Sequence, residues 1–247
     1  MTNVLMLASY GLEIVECGGA IAKAVAAGET VNAAVLMCRE ESKPQVSRAA
    51  DILGVSGGVD FLDVSFGEVD LASATKVKVV ELIRRTRPDV IIMQDPQHAQ
   101  HDLDPDRRVI AILYAEALAV AGRDWRVEEC GGHDPHPIPT IYYMTPEHPN
   151  CVVEIGDVLD KKLKALQELS SQNTFSAQHW LEHTTPEILR SVIPGWTDGE
   201  LETLGAEGQR QFFTALALTN GLASHSGAVL GEPYRREGTF VMDRLTH

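Results

Sequence analysis

The sequence contains no apolar run near the ~18–20 residues that span a bilayer, so no membrane segment is expected. Its first residues, MTNVLML, enter a strand-like run with no basic stretch before it, so no secretory signal is expected either. Cysteine is scarce. Cys17, Cys38, Cys130 and Cys151 form no C-x-x-C pair and read as free thiols of a reducing cytoplasm, not as a disulfide or zinc framework. Basic residues are few: 21 Lys and Arg stand against 35 Asp and Glu, a net charge of −14. That balance excludes nucleic acid and anionic membrane surfaces as expected partners. There are no internal repeats and no low-complexity tracts. Gly11, Gly18 and Gly19 do not make G-x-G-x-x-G, so a dinucleotide site is not expected.

What is present is an alternation of short apolar runs and amphipathic stretches. The 247 residues, 44% hydrophobic and 23% charged, suit one α/β domain with a single large core. Unbroken apolar runs at 4–8, 31–37, 59–62 and 90–93 read as strands buried on both faces. Helical patterns separate them: one opening at Cys17-Gly18-Gly19 and closing at Gly28, one over 46–53 stopped by Gly54, and one capped by Asp70 and ended by Pro88. The alternation predicts a mostly parallel, Rossmann-like sheet with helices on both faces. Further strands are expected at 140–144 and 151–155, then a helix capped by Asp157. Residues 173–205 read as a helical insertion, and 206–247 as a C-terminal helix and closing segment. Trp180, Trp196, Phe212 and Phe213 read as core or subunit contacts.

Open parallel sheets bind ligands beyond the carboxyl ends of their strands, so residues 8–19 should line a site. The loop after the fourth strand, QDPQHAQHDLDPDRR, is the second polar concentration. His98, His101, Asp102 and Asp104 are all metal-competent at H-x-x-H-D-x-D spacing. The competing reading is a solvated, turn-forming loop in which Asp104 caps the next helix. Arg107, at that helix N-terminus, reads either as a bidentate clamp for a carboxylate or phosphate or as a surface ion pair. His133 and His136 fall in a turn-rich connection. Glu232, Tyr234, Arg235, Arg236 and His225 are further candidates in the closing segment.

The first stretch resembles the opening motif of the PIG-L/LmbE-like family, zinc-dependent deacetylases of N-acetylated sugars and thiol conjugates. The motif reads A-H-P-D-D-x-E-x-x-C-G-G, and Ala8, Cys17, Gly18 and Gly19 match it without a gap. The second motif, H-P-D-H, aligns on Asp104-Pro105-Asp106-Arg107, and DVLDKKLKALQELSSQ resembles the family's next element. The resemblance covers about residues 3–172 and implies the LmbE-like fold. Its chemical positions differ. The metal-binding His falls on Ser9, the base Asp on Gly11, the second ligand Asp on Leu12 and the last ligand His on Arg107. Leu cannot donate and Arg stays protonated, so no metal and no cofactor are expected at the ancestral zinc position. A hydratase branch of the family, resembling 4-oxalomesaconate hydratase, also lacks the base Asp. The family's oxyanion-stabilising His falls on His148.

Two function classes follow. The first is a metal-independent hydratase, lyase or hydrolase acting on a small anionic molecule. In it Glu13, His98, His101, Asp104 and His148 are candidate catalytic groups, and Ser9, Tyr10 and Arg107 bind substrate. The second is a non-catalytic subunit or binding protein that keeps the frame. A zinc-dependent N-deacetylase is a third reading, set against the missing ligands. A homo-oligomer, or a hetero-oligomer with an active homologue, is the expected assembly.

Overall fold

Seven strands form one sheet in the order β3-β2-β1-β4-β5-β7-β6. They are β1 (Asn3–Ala8), β2 (Thr30–Val35), β3 (Val59–Phe61), β4 (Val90–Gln94), β5 (Thr140–Met144), β6 (Cys151–Glu154) and β7 (Gly231–Arg236). The computed structural model describes residues 1–137, 139–197, 199–223, 227–238 and 244. The first five strands pair in parallel, with Val4 opposite both Val31 and Val90. β7 runs antiparallel between β5 and β6.

Strand β1 shows why the apolar runs are continuous. Val4, Met6 and Ala8 pack into one core, while Leu5 and Leu7 pack into the other. The first core lies under α1 (Leu12–Glu16), α2 (Gly18–Ala26), α3 (Lys43–Leu53) and α7 (Leu159–Gln167), through Ile14, Ile21, Leu53 and Leu166. The second lies under α4 (Ser73–Thr86) and α6 (Pro105–Ala121), through Val79, Val80, Ile83, Ile110, Leu113 and Tyr114. Each fully buried side chain of this size contributes roughly 1.5–3 kcal/mol. The α/β fold with helices on both faces is therefore as the sequence predicts.

Several local expectations change. The helix expected to open at Cys17-Gly18-Gly19 is preceded by a short one, α1, over Leu12–Glu16. This short helix fits because Gly11 lies against α3, where a Cβ would meet Val46 Cγ2 at 2.3 Å. The stretch after β4 also begins with a helix, α5 (Pro96–His101), capped by Asp95. Asp157 does not cap α7, whose N-cap is Val158; it pairs with Lys23 instead. Asp70 lies just ahead of α4, accepting from Ala72 N–H and the Thr75 hydroxyl. Beyond the sheet, α8 (Ser170–His183), α9 (Pro186–Val192) and α10 (Leu201–Ala223) enclose a third core of Ala177, Leu189, Ile193, Trp196 and Leu204. Trp196 and Phe213 are buried there and near α7, whereas Phe212 is exposed. His225 lies outside the described residues. Among the described residues no helix is long and apolar enough to cross a membrane.

Chain order runs outward from β1 to β3 and then returns to β4 on the other side of β1. The loops leaving β1 and β4 therefore diverge at the switch point between them, where open α/β sheets leave a crevice.

Candidate functional site

The end of β1 is fixed by backbone. Ala8 O accepts from the Tyr114 hydroxyl at 2.8 Å, and Ser9 O accepts from Met37 N–H. Ser9 is buried, and its N–H donates to Glu13 Oε2 at 2.6 Å. Glu13, in the first turn of α1, is fully buried. Burial pushes its carboxyl up to about 7; Arg107 opposes that shift and Glu16 adds to it. Oε1 of Glu13 has no hydrogen bond and faces Arg107 Nη1 at 3.4 Å.

The start of α6 is fixed by an acidic relay. Asp102 Oδ1 accepts from Asp104 N–H, and Asp104 Oδ1 accepts from Asp106 N–H, each at 2.9 Å. Asp104 is thus the helix cap that the sequence suggests. Asp106, buried, accepts from Gly67 N–H and ties the turn after β3 to the site. Asp104 Oδ2 accepts from the Tyr10 hydroxyl at 2.5 Å. Burial and this bond raise the Tyr10 phenol above its usual range. Arg107 Nε also lies 3.5 Å from Asp102 and 3.9 Å from Asp104. Its charge is shared among three carboxylates of the chain itself.

Above these groups runs a stacked column. Arg107 lies 5.1 Å from the Tyr10 ring, Tyr10 stacks on Phe66 at 5.9 Å, and Arg39 lies 5.7 Å from Phe66. The column lines a cleft of about 430 Å³. Leu12, Met37, Val46, Leu169 and Phe175 give it apolar walls, while Gln45, Ser171 and Gln172 add neutral polar groups. Asp104 is the carboxylate of the lining, and Arg39 and Arg107 are its cations.

The sequence-predicted residues divide accordingly. Tyr10, Asp104 and Arg107 line the cleft. Ser9 and Glu13 do not line it: both are buried, Ser9 N–H bonds to Glu13, and Glu13 lies 3.4 Å behind Arg107, so the structure does not place Glu13 against the cleft as the sequence reading expects. His98, His101 and His148 do not line it. His98 sits on α5 with Nδ1 3.0 Å from Glu147, and His101 and His148 point to solvent. His98 and His101 both stand on α5, capped by Asp95 with Pro96 opening the helix, and neither is among the cleft-lining residues. His136 is bonded to Pro88 O, and His133 lies 3.7 Å from Glu81.

Of the closing-segment candidates, Glu232, Tyr234 and Arg235 are engaged in contacts within the fold. Arg235 forks onto the buried Asp95, donating to Oδ1 at 2.7 Å and to Oδ2 at 2.9 Å, and so ties β7 to the end of β4. Glu232 accepts from Gly19 and Ala20 N–H at the start of α2, and from Lys162 and Tyr234. It supplies the negative charge that a helix N-terminus favours. Sequence reasoning missed Arg39, Phe66, Gln45 and Phe175 as cleft residues. Arg39 follows the second strand, so the carboxyl-end rule applied there would have found it.

No protein-family profile matches the chain. A diacetylchitobiose deacetylase of Thermococcus kodakarensis is 35% identical over 129 residues, 51% of this chain and 47% of that protein. The chain thus spans about half the length of the curated relative it matches. The N,N'-diacetylchitobiose deacetylase of Pyrococcus horikoshii, solved with an inhibitor, superposes with a TM-score of 0.72 at 20% identity. That match covers 96% of this chain and 84% of the other. The 4-carboxy-2-hydroxymuconate hydratase of Pseudomonas putida superposes with a TM-score of 0.67 at 19% identity over the full length of both chains. These likenesses show the fold, which is that of the LmbE/PIG-L proteins.

Proposed function

We propose that the cleft is a metal-independent acid–base site for a small carboxylate-bearing substrate, working as a hydratase or lyase. The observation that carries this reading is the lining itself: one carboxylate bonded to a phenol, Asp104 with Tyr10, between two guanidiniums, Arg107 and Arg39. Arg39 makes no ion pair among the described residues, so its charge is free for a substrate carboxylate. Arg107, already balanced by Glu13, Asp102 and Asp104, serves to orient and polarise rather than to capture. Asp104 accepts one bond on each oxygen, the cap on Oδ1 and Tyr10 on Oδ2, and each oxygen keeps a further lone pair. Such a lone pair can take a proton from water or from a carbon acid, with Tyr10 stabilising the carboxylate as its charge changes.

The donor set at the ancestral zinc position does not fit zinc. Ser9 offers a neutral hydroxyl, Leu12 nothing, and Arg107 a cation. At ~4 Å and an effective dielectric of ~20, that cation opposes each unit of metal charge by ~4 kcal/mol.

The second reading is an N-deacetylase, favoured by the 35% identity with the chitobiose deacetylase. One experiment separates the readings. Chelator-treated protein is given unsaturated di- and tricarboxylates, 4-carboxy-2-hydroxymuconate among them, and separately N,N'-diacetylchitobiose. The proposal expects loss of the conjugated absorbance, unchanged by added zinc. Zinc-dependent acetate release would establish the deacetylase instead. Inactivity on both panels would return the chain to the non-catalytic reading. The four free cysteines support a reducing, cytoplasmic location. Exposed Phe212 and Leu216, one turn apart on α10, support self-association.

A further inference from the structure

Outside the lining of the cleft, the last turns of α8 carry three side chains with metal-binding chemistry. His179, Glu182 and His183 stand at i, i+3 and i+4, which places them on one helical face. One donor atom from each lies within 4.8 Å of the others, and among the described residues no other three His, Cys, Asp or Glu side chains converge in this way. The two imidazole rings are 4.4 Å apart at their centres. All three residues are exposed, so a hydrated ion reaches them directly. Among the described residues, Glu182 is in no ion pair that would compete for it.

The second histidine is already oriented. His183 Nδ1 lies 2.8 Å from the carbonyl oxygen of His179. A ring nitrogen that close to an acceptor carries the hydrogen, so the neutral ring presents Nε2 with a bare lone pair. A backbone carbonyl holding one ring nitrogen is the usual way in which a protein fixes a metal-binding histidine.

We propose that this face of α8 binds one zinc ion through His179, Glu182 and His183, with water completing the shell. Two imidazole nitrogens and one carboxylate oxygen form a donor set that zinc accepts. Phe175 lines the cleft from the same helix, and His179 lies one turn further on, about 6 Å along the axis at 1.5 Å rise per residue; none of the three donors lines the cleft. The ion is therefore separate from the cleft and from Ser9, Leu12 and Arg107. Chelation across one turn clips the end of α8, which packs with α9 and α10 around Trp196, so binding should raise the thermal midpoint.

The test is calorimetric titration of the full chain with zinc after chelator treatment and dialysis. One saturable site per chain is expected. The double variant His179→Ala/His183→Ala should lose it, and Glu182→Gln should weaken it by about tenfold. Cobalt substitution should give visible absorption bands in the parent protein that are absent from the double variant. Because the three positions are exposed, the variants should keep the parent's circular dichroism. Binding retained in the double variant would overturn the proposal. So would the absence of saturable binding at zinc concentrations up to about 100 µM. Loss of the site in His98→Ala/His101→Ala with retention in the α8 variant would move the ion to the loop after β4 and equally overturn it.

Discussion

Arg107 Nη1 lies 3.4 Å from Oε1 of Glu13, a carboxylate with no exposure to solvent. A cation at the mouth of a pocket and an anion sealed behind it form one unit. The guanidinium keeps Glu13 partly ionised against burial, and Glu13 fixes where the guanidinium points.

Arg107→Ala should therefore do more than remove a surface charge. It leaves Glu13 buried without a counter-ion, at a cost of about 1–3 kcal/mol, discounted because Arg107 is itself partly exposed. The Glu13 carboxyl should rise further, so the loss should be larger at pH 8 than at pH 5. Urea unfolding at the two pH values checks this. Equal losses at both would mean that the two groups are not coupled.

Glu13→Gln tests the same pair through linkage. The folded-state value of about 7 lies above the ordinary 4.5, so the folded chain holds the Glu13 proton more tightly than the unfolded one. Stability from this group is full below about 4.5 and is lost as pH rises through about 7. The glutamine variant keeps an acceptor for Ser9 N–H and has no charge to bury. Relative to the parent it should gain about 1–3 kcal/mol between pH 5 and pH 8, at ~1.4 kcal/mol per unit.

Asp104→Asn separates capping from chemistry. Asparagine caps helices as well as aspartate does, so stability should change by less than about 1 kcal/mol. Removing the base should lower turnover by about 10²–10⁴. A variant that keeps full turnover would exclude Asp104 as the proton acceptor.

The buried Lys162–Glu232 bridge holds α7 and β7 onto the start of α2. Gly19→Ala should disrupt it, because a Cβ there would meet Ile155 Cγ2 at 2.5 Å and Glu232 Oε1 at 2.6 Å. A loss of about 1–3 kcal/mol in unfolding free energy is expected.

The frame was legible because its signals are local. Val4 to Ala8 is apolar at every position since both faces are buried, and Asp104 caps α6 through its own chain neighbours. Strand ends came within a few residues of those observed. The antiparallel entry of β7 between β5 and β6 was not legible, because GEPYRR has no apolar run and is held by pairing with distant strands. The site was half legible. Tyr10, Asp104 and Arg107 follow the carboxyl ends of β1 and β4, where the sequence places candidates, and they line the cleft. His98 and His101 misled because composition does not say which way a short helix turns its side chains. Arg39 was passed over because a charged loop reads as solvent-facing until Phe66, from another loop, stacks against it.

The most direct test of the metal-independent anion site is calorimetric binding of an unsaturated tricarboxylate to chelator-treated parent protein and to Arg39→Ala. Arg39 is exposed, so the variant should fold within about 0.5 kcal/mol of the parent. The account predicts one binding event per chain, indifferent to chelator and to added zinc, and weakened about tenfold or more in Arg39→Ala. Binding that vanishes with chelator, returns with zinc and is the same in Arg39→Ala would contradict it.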